Sequence, residues 1–454
     1  MKKKENVPDI TVIMPSLNVG KYIKICMDSV LKQSFSNIEV LAVDAGSTDG
    51  TLEILCEYAR NDDRVRVIIS DKKSYGYQIN LGIQQARGNY ISIVETDDKI
   101  SSDMFMRLFE CAQKTDADYV KGAAQYYIEI NEKINWSINI SLPVDKSLIG
   151  CVLAPCSRPD LLVSDIYLWN GLYKRSFLKD IKLNETPGAA FQDQGFLLQS
   201  ISRAKRAVYL DCVVYSYRQD NSNSSIFNPK GFHFIVQEYS LNKKYLSDLD
   251  IMWTKSFYIR MLNQAIGRFQ VMALSSCYNN QADKDIELIR EQLKQAVRQN
   301  ILTEADIEKN RWEQLCLWFK GNENIFNKHR ELIKDKSENI RLLLNSVKQK
   351  KVVIFGAKNS GRFLHVLLES RKSGAVQAYA DNDSSLQNKE LQGIDVFAPE
   401  EAVKIYPSAL YVISSNKYAD EIKEQLKNLG IGDEQIFVYS AGINFNLLRL
   451  PETE

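Results

Sequence analysis

Three carboxylates follow directly on an apolar run in the N-terminal part of the chain. The run 90–94 predicts a strand, and Glu95, Asp97 and Asp98 come immediately after it. Open α/β sheets bind ligands at the carboxyl ends of their strands, so these charges are expected at one edge. Clustered carboxylates cost electrostatic energy unless a cation neutralises them, and Mg²⁺ needs only one or two carboxylates plus substrate phosphates. The pattern therefore predicts a site for a metal-bound phosphate ester, or else an acidic start to the next helix.

The bulk composition places the chain among ordinary globular proteins and excludes several classes. Its 454 residues are enough for about two or three domains, and the net charge of +1 gives no sign of nucleic-acid binding. Lys2-Lys3-Lys4 has no apolar segment behind it, so no signal peptide is predicted, and no run is long enough for a membrane span. Eight scattered cysteines without a Cys-x-x-Cys pair indicate reduced thiols. We expect a cytoplasmic protein, with peripheral attachment at the inner face of the membrane left open.

The histidines limit the chemistry of the N-terminal half. The three histidines stand at positions 233, 329 and 365, so the first 232 residues have none. This excludes Ser-His-Asp chemistry and histidine-ligated zinc from that region. A general base there has to be a carboxylate or, less commonly, a Tyr, Lys or Cys.

The elements that must position these groups are read from the apolar periodicity. Strands are predicted at Ile10–Met14, Ile38–Val43, Val65–Ile69 and Tyr90–Val94, and helices at 20–34, Thr51–Arg60 and Gln78–Ala86. Strand–helix alternation of this kind indicates an α/β fold with a mostly parallel, doubly wound sheet. The pattern turns helical at about 231 and returns to strand–helix alternation at 351. We predict three parts: an α/β domain over 8–230, a helical connector over 231–348 and a smaller Rossmann-like domain over 349–442.

Further polar residues follow the other predicted strands. Pro15, Ser16 and Asn18 end the first strand, and Asp44 closes the second. An acidic residue at such an edge can accept a hydrogen bond from a ribose or a base, so Asp44 is interpreted as a ligand residue. The segment 47–49, which precedes a predicted helix, is interpreted as its cap.

Four of these segments together resemble the family 2 glycosyltransferases, which have a GT-A fold. The matching segments are Pro15–Asn18, Asp44–Asp49, Asn80–Gly82 and Glu95–Asp98, in the family's order, and the resemblance covers about residues 8–225. It implies an inverting hexosyl- or related transferase that moves a sugar from a nucleotide-diphosphate sugar to a glycan or lipid-linked acceptor. It also implies Mg²⁺ or Mn²⁺ as cofactor and a role in bacterial surface polysaccharide synthesis.

The resemblance also implies roles for individual residues. Asp44 would contact the nucleobase, and Asp97, supported by Glu95 and Asp98, would hold the cation against the diphosphate. Ala45 stands where the family usually has a second Asp, and Glu95 replaces the first Asp of the family's Asp-x-Asp motif. The full set implied for nucleotide binding is Pro15, Ser16, Asn18, Asp44, Asn80 and Asp97.

Three later segments resemble the family's catalytic and acceptor regions. Asp193, preceded by Gln192 where an acid is common, is the candidate base, with a helix-start Asp as the alternative. Arg218 would pair with the diphosphate in a bidentate way, or else form a surface salt bridge. Trp169, Tyr173 and Gln192 are the candidates for acceptor or sugar contacts, and buried core aromatics are the alternative for the two rings.

The C-terminal segment resembles the small Rossmann-like domains appended to bacterial sugar-modifying enzymes. Gly356 and Gly361 follow a predicted strand and Asp381 ends the next, but Lys358 stands where a dinucleotide site needs its middle glycine. NAD binding is therefore not expected. Two other hypotheses stay open: a catalytically degenerate sugar-nucleotide-binding scaffold, and a bifunctional enzyme with a nucleotide-dependent C-terminal domain.

Overall fold

The computed structural model describes residues 7–131, 133–221, 223–275, 280–348, 350–371, 374–443 and 445. Within this part, the chain divides into two compact units. The first comprises Met1–Tyr126, Asn139–Phe269 and Tyr278–Ile325, and the second comprises Tyr127–Ile138, Gln270–Cys277 and Phe326–Glu454. The predicted three-part division stays a prediction.

The N-terminal half is built on one mixed sheet. The strand bounds are β1 Ile10–Ser16, β2 Ile38–Asp44, β3 Val65–Ile69, β4 Tyr90–Ile93, β5 Lys99–Ile100, β6 Tyr119–Glu129, β7 Asn135–Ile140, β8 Gly171–Lys174 and β9 Ala207–Arg218. These strands run in the order β3-β2-β1-β4-β8-β6-β9-β5, and β7 pairs with β6. Strands β1 to β4 are parallel neighbours, and β8 pairs antiparallel with both β4 and β6. The predicted α/β class with a parallel-rich sheet is confirmed.

Helices connect the strands and continue after them. The bounds up to β9 are α1 Ile23–Leu31, α2 Thr51–Asn61, α3 Tyr75–Gln85, α4 Met104–Thr115, α5 Leu161–Ser164, α6 Arg175–Leu178 and α7 Asp193–Arg203. The later helices are α8 Gly231–Leu246, α9 Ile251–Ser275, α10 Asn280–Arg298, α11 Lys309–Lys320 and α12 Asn322–Ser346. Short 3₁₀ turns occupy Lys146–Leu148, Pro155–Ser157, Ser225–Phe227, Glu304–Asp306 and Asp433–Gln435. No helix of the described chain combines the length and apolar character needed to cross a membrane.

The register of the parallel strands brings the predicted site residues to one edge. Ser16 pairs with Asp44 across β1 and β2, and Ile13 pairs with Ile93 across β1 and β4. The residues that follow β4 therefore lie beside the end of β1, and the Thr96 hydroxyl donates to Pro15 O at 2.9 Å. Parallel pairing thus places the end of β1, Asp44 and the residues after β4 at the carboxyl edge of the sheet, as the sequence predicts.

Segment 183–192 packs closely against the start of α3. This helix begins at Tyr75 because Ser74 caps it, accepting from Tyr77 N at 3.3 Å. A Cβ on Gly76 would lie 2.0 Å from Asn184 O, so only glycine allows this approach. The contact holds the residues just before α7 over the edge of the sheet.

The second unit contains its own six-stranded sheet. The bounds of its elements are β10 Val352–Phe355, α13 Asn359–Ser370, β11 Val376–Ala380, β12 Glu390–Leu391, β13 Ile394–Phe397, α14 Pro399–Ile405, β14 Leu410–Ile413, α15 Ala419–Asn428 and β15 Ile436–Val438. The strands run in the order β12-β13-β11-β10-β14-β15, and all neighbouring pairs are parallel except β12 with β13. Buried clusters cover both faces of the sheet. Assignment of this unit to the Rossmann-like class stays a prediction.

Candidate active site

A cleft of about 640 Å³ opens at the carboxyl edge of the first sheet. It is lined by the ends of β1 and β4, the start of α3, the segment before α7, the loop after β9 and one face of α9. Seven of the residues predicted from the sequence line this cleft together: Pro15, Ser16, Glu95, Asp97, Trp169, Gln192 and Asp193.

Glu95 and Asp97 are the two strand-end carboxylates that face the cleft. Tyr75 donates its hydroxyl to Glu95 Oε1, and Asn221 donates its amide to Asp97 Oδ2 at 2.6 Å. Burial raises the pKa of Glu95 to about 8, the Tyr75 bond opposes this, and the charges of Asp97 and Asp193 add to it. Burial likewise raises the pKa of Asp97. The cleft therefore holds carboxylates whose charges are poorly compensated.

Asp98 and Arg218 lie behind these carboxylates and do not line the cleft. Asp98 is fully buried and accepts from the Tyr215 hydroxyl at 2.9 Å and from Arg218 N at 2.7 Å. Arg218 is also buried; its Nε donates to Asp97 O at 2.8 Å and its Nη1 lies 3.1 Å from Asp220. Both residues connect β9 to residues 95–98, the acidic turn that follows β4. The predicted diphosphate contact of Arg218 stays a prediction.

The donor chemistry of the cleft fits a hard divalent cation bound together with a phosphate. Glu95 and Asp97 present oxygen ligands, and neither side chain has an ion-pair partner in the described chain. The same residues contain no group of three or more His, Cys, Asp or Glu side chains arranged to hold a metal alone. Mg²⁺ uses one or two carboxylates when substrate phosphates complete its coordination.

Asp193 begins α7 and lines the same cleft. Burial raises the pKa of its carboxyl, while the positive charge of Arg260 opposes the rise. Gln192 holds the preceding turn: its Nε2 donates to Thr186 O at 3.0 Å and to Ser74 Oγ at 3.2 Å, and Gly76 N donates to its Oε1 at 2.9 Å. A carboxylate with a raised pKa suits a general base, because the best base has a pKa near the working pH.

A buried arginine outside the predicted domain supports Asp193. Arg260 is 3% exposed, and its Nε donates to Gln194 Oε1. Gln194 Nε2 donates in turn to Asp193 Oδ2 at 3.2 Å. Arg260 Nη1 is held by Leu162 O and by Asp165 O, the latter at 3.2 Å. The guanidinium is thus fixed, and it reaches the candidate base through one amide.

The aromatic candidates have mainly packing contacts. Trp169 is stacked on Tyr215 with ring centroids 4.1 Å apart and on Tyr167 with centroids 4.4 Å apart. It is 6% exposed, so an edge of its ring reaches the cleft while both faces are covered. Tyr173 is fully buried and donates to Leu168 O at 2.8 Å. It does not line the cleft.

Three predicted nucleotide-binding residues also lie outside the cleft lining. Asp44 is fully buried and accepts from Gly46 N and Ser47 N, each at 2.9 Å. Asn18 accepts from Thr48 N at 2.9 Å. Asn80 donates to Leu183 O at 3.0 Å. Each carries loop hydrogen bonds, and the predicted contacts with a nucleotide stay predictions.

Four features of the cleft are not among those that the sequence predicts: Tyr75, Tyr167, Asn221 and the cleft-facing side of α9. For α9 a signal exists: polar residues interrupt an otherwise apolar helix at a helical spacing. The helical pattern of 231–348, with its many charges, is interpreted as a connector or packing domain. Loop residues such as Asn221 carry no periodic signal, so only the fold brings Asn221 to Asp97.

Two family models match the chain. The model described as glycosyl transferase family 2 matches residues 11–182. A model described as C2185-like, N-terminal, matches residues 348–437. The first match contains the β1 to β4 region and the acidic turn that follows it.

Similar proteins are bacterial glycosyltransferases. The chain is 29% identical over 304 residues to the uncharacterized glycosyltransferase EpsJ of Bacillus subtilis, covering 64% of this chain and 87% of that protein. It is 36% identical over 187 residues to the putative teichuronic acid biosynthesis glycosyltransferase TuaG of Bacillus subtilis, covering 37% of this chain and 74% of that protein.

A solved structure with the same fold is residues 1–349 of S. aureus TarS in complex with UDP-GlcNAc. The TM-score is 0.52 at 18% identity, over 72% of this chain and 92% of that chain. This likeness confirms the predicted GT-A fold class for the N-terminal part. The matched family model and the identity to TuaG identify the chain as a member of glycosyl transferase family 2.

Proposed function

We propose that the protein is an inverting glycosyltransferase that transfers a sugar from a nucleotide-diphosphate sugar to a glycan or lipid-linked acceptor. The observation that carries this proposal is that Asp97, Glu95 and Asp193 all line a single cleft. Asp97 and Glu95 suit a cation bound to the diphosphate, and Asp193 suits a general base. The UDP-GlcNAc complex of TarS supports a uridine-diphosphate sugar as the first donor to test. The name of TuaG, a putative teichuronic acid biosynthesis glycosyltransferase, supports a role in polysaccharide synthesis.

In the proposed reaction the acceptor hydroxyl attacks the anomeric carbon of the donor sugar. Asp193 takes the proton of that hydroxyl as the new carbon–oxygen bond forms and the bond to the diphosphate breaks from the opposite face. The nucleoside diphosphate leaves and the anomeric configuration inverts. Asp97 and Glu95 would hold Mg²⁺ or Mn²⁺, which supplies charge stabilisation to the leaving diphosphate when bound.

The residues around these carboxylates keep them in place. Tyr75 donates to one carboxylate oxygen of Glu95, and Asn221 donates to one carboxylate oxygen of Asp97. Asp98 anchors the acidic turn from behind through β9. Arg260, acting through Gln194, orients Asp193 and favours its charged form.

The test is calorimetric binding of UDP, GDP, CMP and dTDP, each with and without Mn²⁺. Wild type is compared with Asp97→Asn, and Asp116→Asn is the matched control because Asp116 is an exposed partner of Lys174. We expect one nucleotide to bind only with Mn²⁺, and Asp97→Asn to abolish that binding. If the affinity for the nucleotide is the same with and without Mn²⁺, and the same in wild type and Asp97→Asn, the proposed cation site is overturned. Absence of binding by any nucleotide would favour a scaffold role instead.

A further inference from the structure

Helix α9 presents one polar face to the cleft. Its neighbouring positions Met261, Leu262, Ala265 and Ile266 are completely buried. The cleft-lining residues of this helix are Arg260, Asn263, Gln264, Gly267 and Arg268. A spacing of i, i+3, i+4, i+7 and i+8 places residues on one side of a helix. We call this set the α9 polar face.

Gly267 leaves open space in the middle of this face. Glycine in a helix interior is less stable than alanine, so its presence needs a reason. Close packing is not the reason, because no heavy atom of the described residues outside the adjoining helical backbone and the two chain neighbours lies within 4 Å of the position that a Cβ would occupy. Since Gly267 lines the cleft, the missing side chain enlarges the cleft at this point.

Gln264 supplies a hydrogen-bonding group without a protein partner. Its Oε1 is buried and accepts no hydrogen bond from the described residues. A buried acceptor left unsatisfied costs free energy, which a hydroxyl of a ligand would recover. Side-chain amides both donate and accept, which matches the hydroxyl groups of a sugar.

The α9 polar face lies beside the candidate base. Arg260, at one end of it, contacts Asp193 through Gln194. Gln264 follows Arg260 by about one helical turn, a rise of about 6 Å. An acceptor hydroxyl must come within hydrogen-bond distance of the base to lose its proton, so the rest of the acceptor has to occupy the adjoining part of the cleft.

From these contacts we infer that the α9 polar face, with Gln264 and Gly267 at its centre, is the subsite for the hydroxyl-bearing sugar at the accepting end of the acceptor. Asn263 completes the amide pair, and Gly267 provides room for the sugar ring. This inference rests on the proposed function, because it takes Asp193 as the base. It assigns acceptor recognition to a helix outside the residues matched by the glycosyl transferase model.

The inference is tested by separating transfer from donor hydrolysis. Wild type, Gly267→Ala, Gly267→Leu and Gln264→Leu are given UDP-GlcNAc with Mn²⁺, either alone or with a panel of methyl glycosides. Gln295→Leu, on the exposed side of α10, is the matched control. Binding of each glycoside is followed by saturation-transfer NMR, and melting temperatures confirm folding.

We expect Gly267→Leu and Gln264→Leu to reduce kcat/KM for the glycoside at least about tenfold more than they reduce donor hydrolysis, because the added bulk and the lost amide act only on the acceptor. The loss should grow from Gly267→Ala to Gly267→Leu. Equal losses in both reactions would assign this face to the donor sugar and overturn the inference. Unchanged transfer, or a wild type that hydrolyses the donor but binds no glycoside, would also overturn it. A wild type that neither binds UDP nor hydrolyses UDP-GlcNAc would instead contradict the proposed function.

Discussion

The side-chain amide of Asn221 lies 2.6 Å from Oδ2 of Asp97, and it joins the loop after β9 to the acidic turn after β4. The two residues are separated by 124 positions in the sequence. The bond occupies one carboxylate oxygen and fixes the direction of the other. Partners of this kind around a ligand carboxylate set its orientation and its affinity for a cation.

Replacing Asn221 should therefore weaken cation-dependent nucleotide binding. We expect Asn221→Ala to lower the affinity for UDP with Mn²⁺ by about 10- to 100-fold, the usual cost of losing such a partner. Calorimetry measures this directly, and Asn416→Ala, in the second unit, is the matched control. Unaltered affinity in Asn221→Ala would show that Asp97 does not need this bond to present its oxygens.

Removing the candidate base should stop turnover without unfolding the protein. Asp193→Asn keeps the shape of the side chain but cannot take a proton, so kcat should fall by about 10²- to 10⁴-fold. Asp97→Asn should also reduce turnover by orders of magnitude, whereas Asp116→Asn should not. Melting temperatures should change little in all three variants. Substantial transfer by Asp193→Asn would remove Asp193 from the base assignment.

Because Arg260 reaches Asp193 through Gln194, we expect the effects on kcat of replacing Arg260 and of replacing Gln194 to be non-additive. Arg260→Gln and Gln194→Met each break one link, so each should lower kcat by about tenfold or more while the KM for donor stays nearly unchanged. The double variant should be no slower than the slower single variant, because both links act on the same carboxylate. Arg158→Gln, on an exposed ion pair, is the control. If the kcat losses of the two single variants multiply in the double variant, or if only the KM rises, then Arg260 and Gln194 do not act by positioning Asp193.

The strands that build the site could be predicted because their signal is local. The predicted and observed bounds of β3 are the same, Val65–Ile69, and the β1 to β4 runs are apolar and mostly buried. Parallel pairing then follows from the intervening helices, and it brings Ser16 and Asp97 to one edge. Helix α3 begins at Tyr75 instead of the predicted Gln78, because the Ser74 cap is stronger than the periodic signal.

The remainder of the site depends on contacts between distant segments. The oxygens of Asp44 accept bonds from its own loop, which no residue pattern predicts. Arg260 lies in a region interpreted as a connector, and its role depends on how α9 packs against α7 and α5. Periodicity predicts that α9 is a helix, but it does not predict which cleft its polar side faces.

Trp169 is predicted to act through packing. Its ring lies between Tyr215 and Tyr167, so Trp169→Ala should reduce stability by about 3–5 kcal/mol. Trp169→Phe preserves part of the stack and should lower the melting temperature while changing KM for donor and acceptor by less than about threefold. Thermal unfolding and initial-rate kinetics test both variants. A large rise in KM at an unchanged melting temperature would restore Trp169 as a sugar-binding residue.

The buried side chain of His365 should make the free energy of unfolding of the second unit fall on acidification. The side chain is 2% exposed, its Nδ1 lies 2.9 Å from the Tyr379 hydroxyl, and burial lowers the pKa of His365 to about 4. An unfolded histidine has a pKa of about 6.5, so the unfolded chain binds a proton between these values while the folded chain does not. The stability that neutral His365 provides is therefore complete above about pH 6.5 and is lost as the pH falls towards 4, by up to about 3 kcal/mol.

His365→Asn keeps a donor near Tyr379 but does not titrate, so it should be less stable at neutral pH and should lose less stability on acidification. Urea unfolding at several pH values measures the slopes, and equal slopes for His365→Asn and wild type would show that this histidine is not the source of the acid sensitivity.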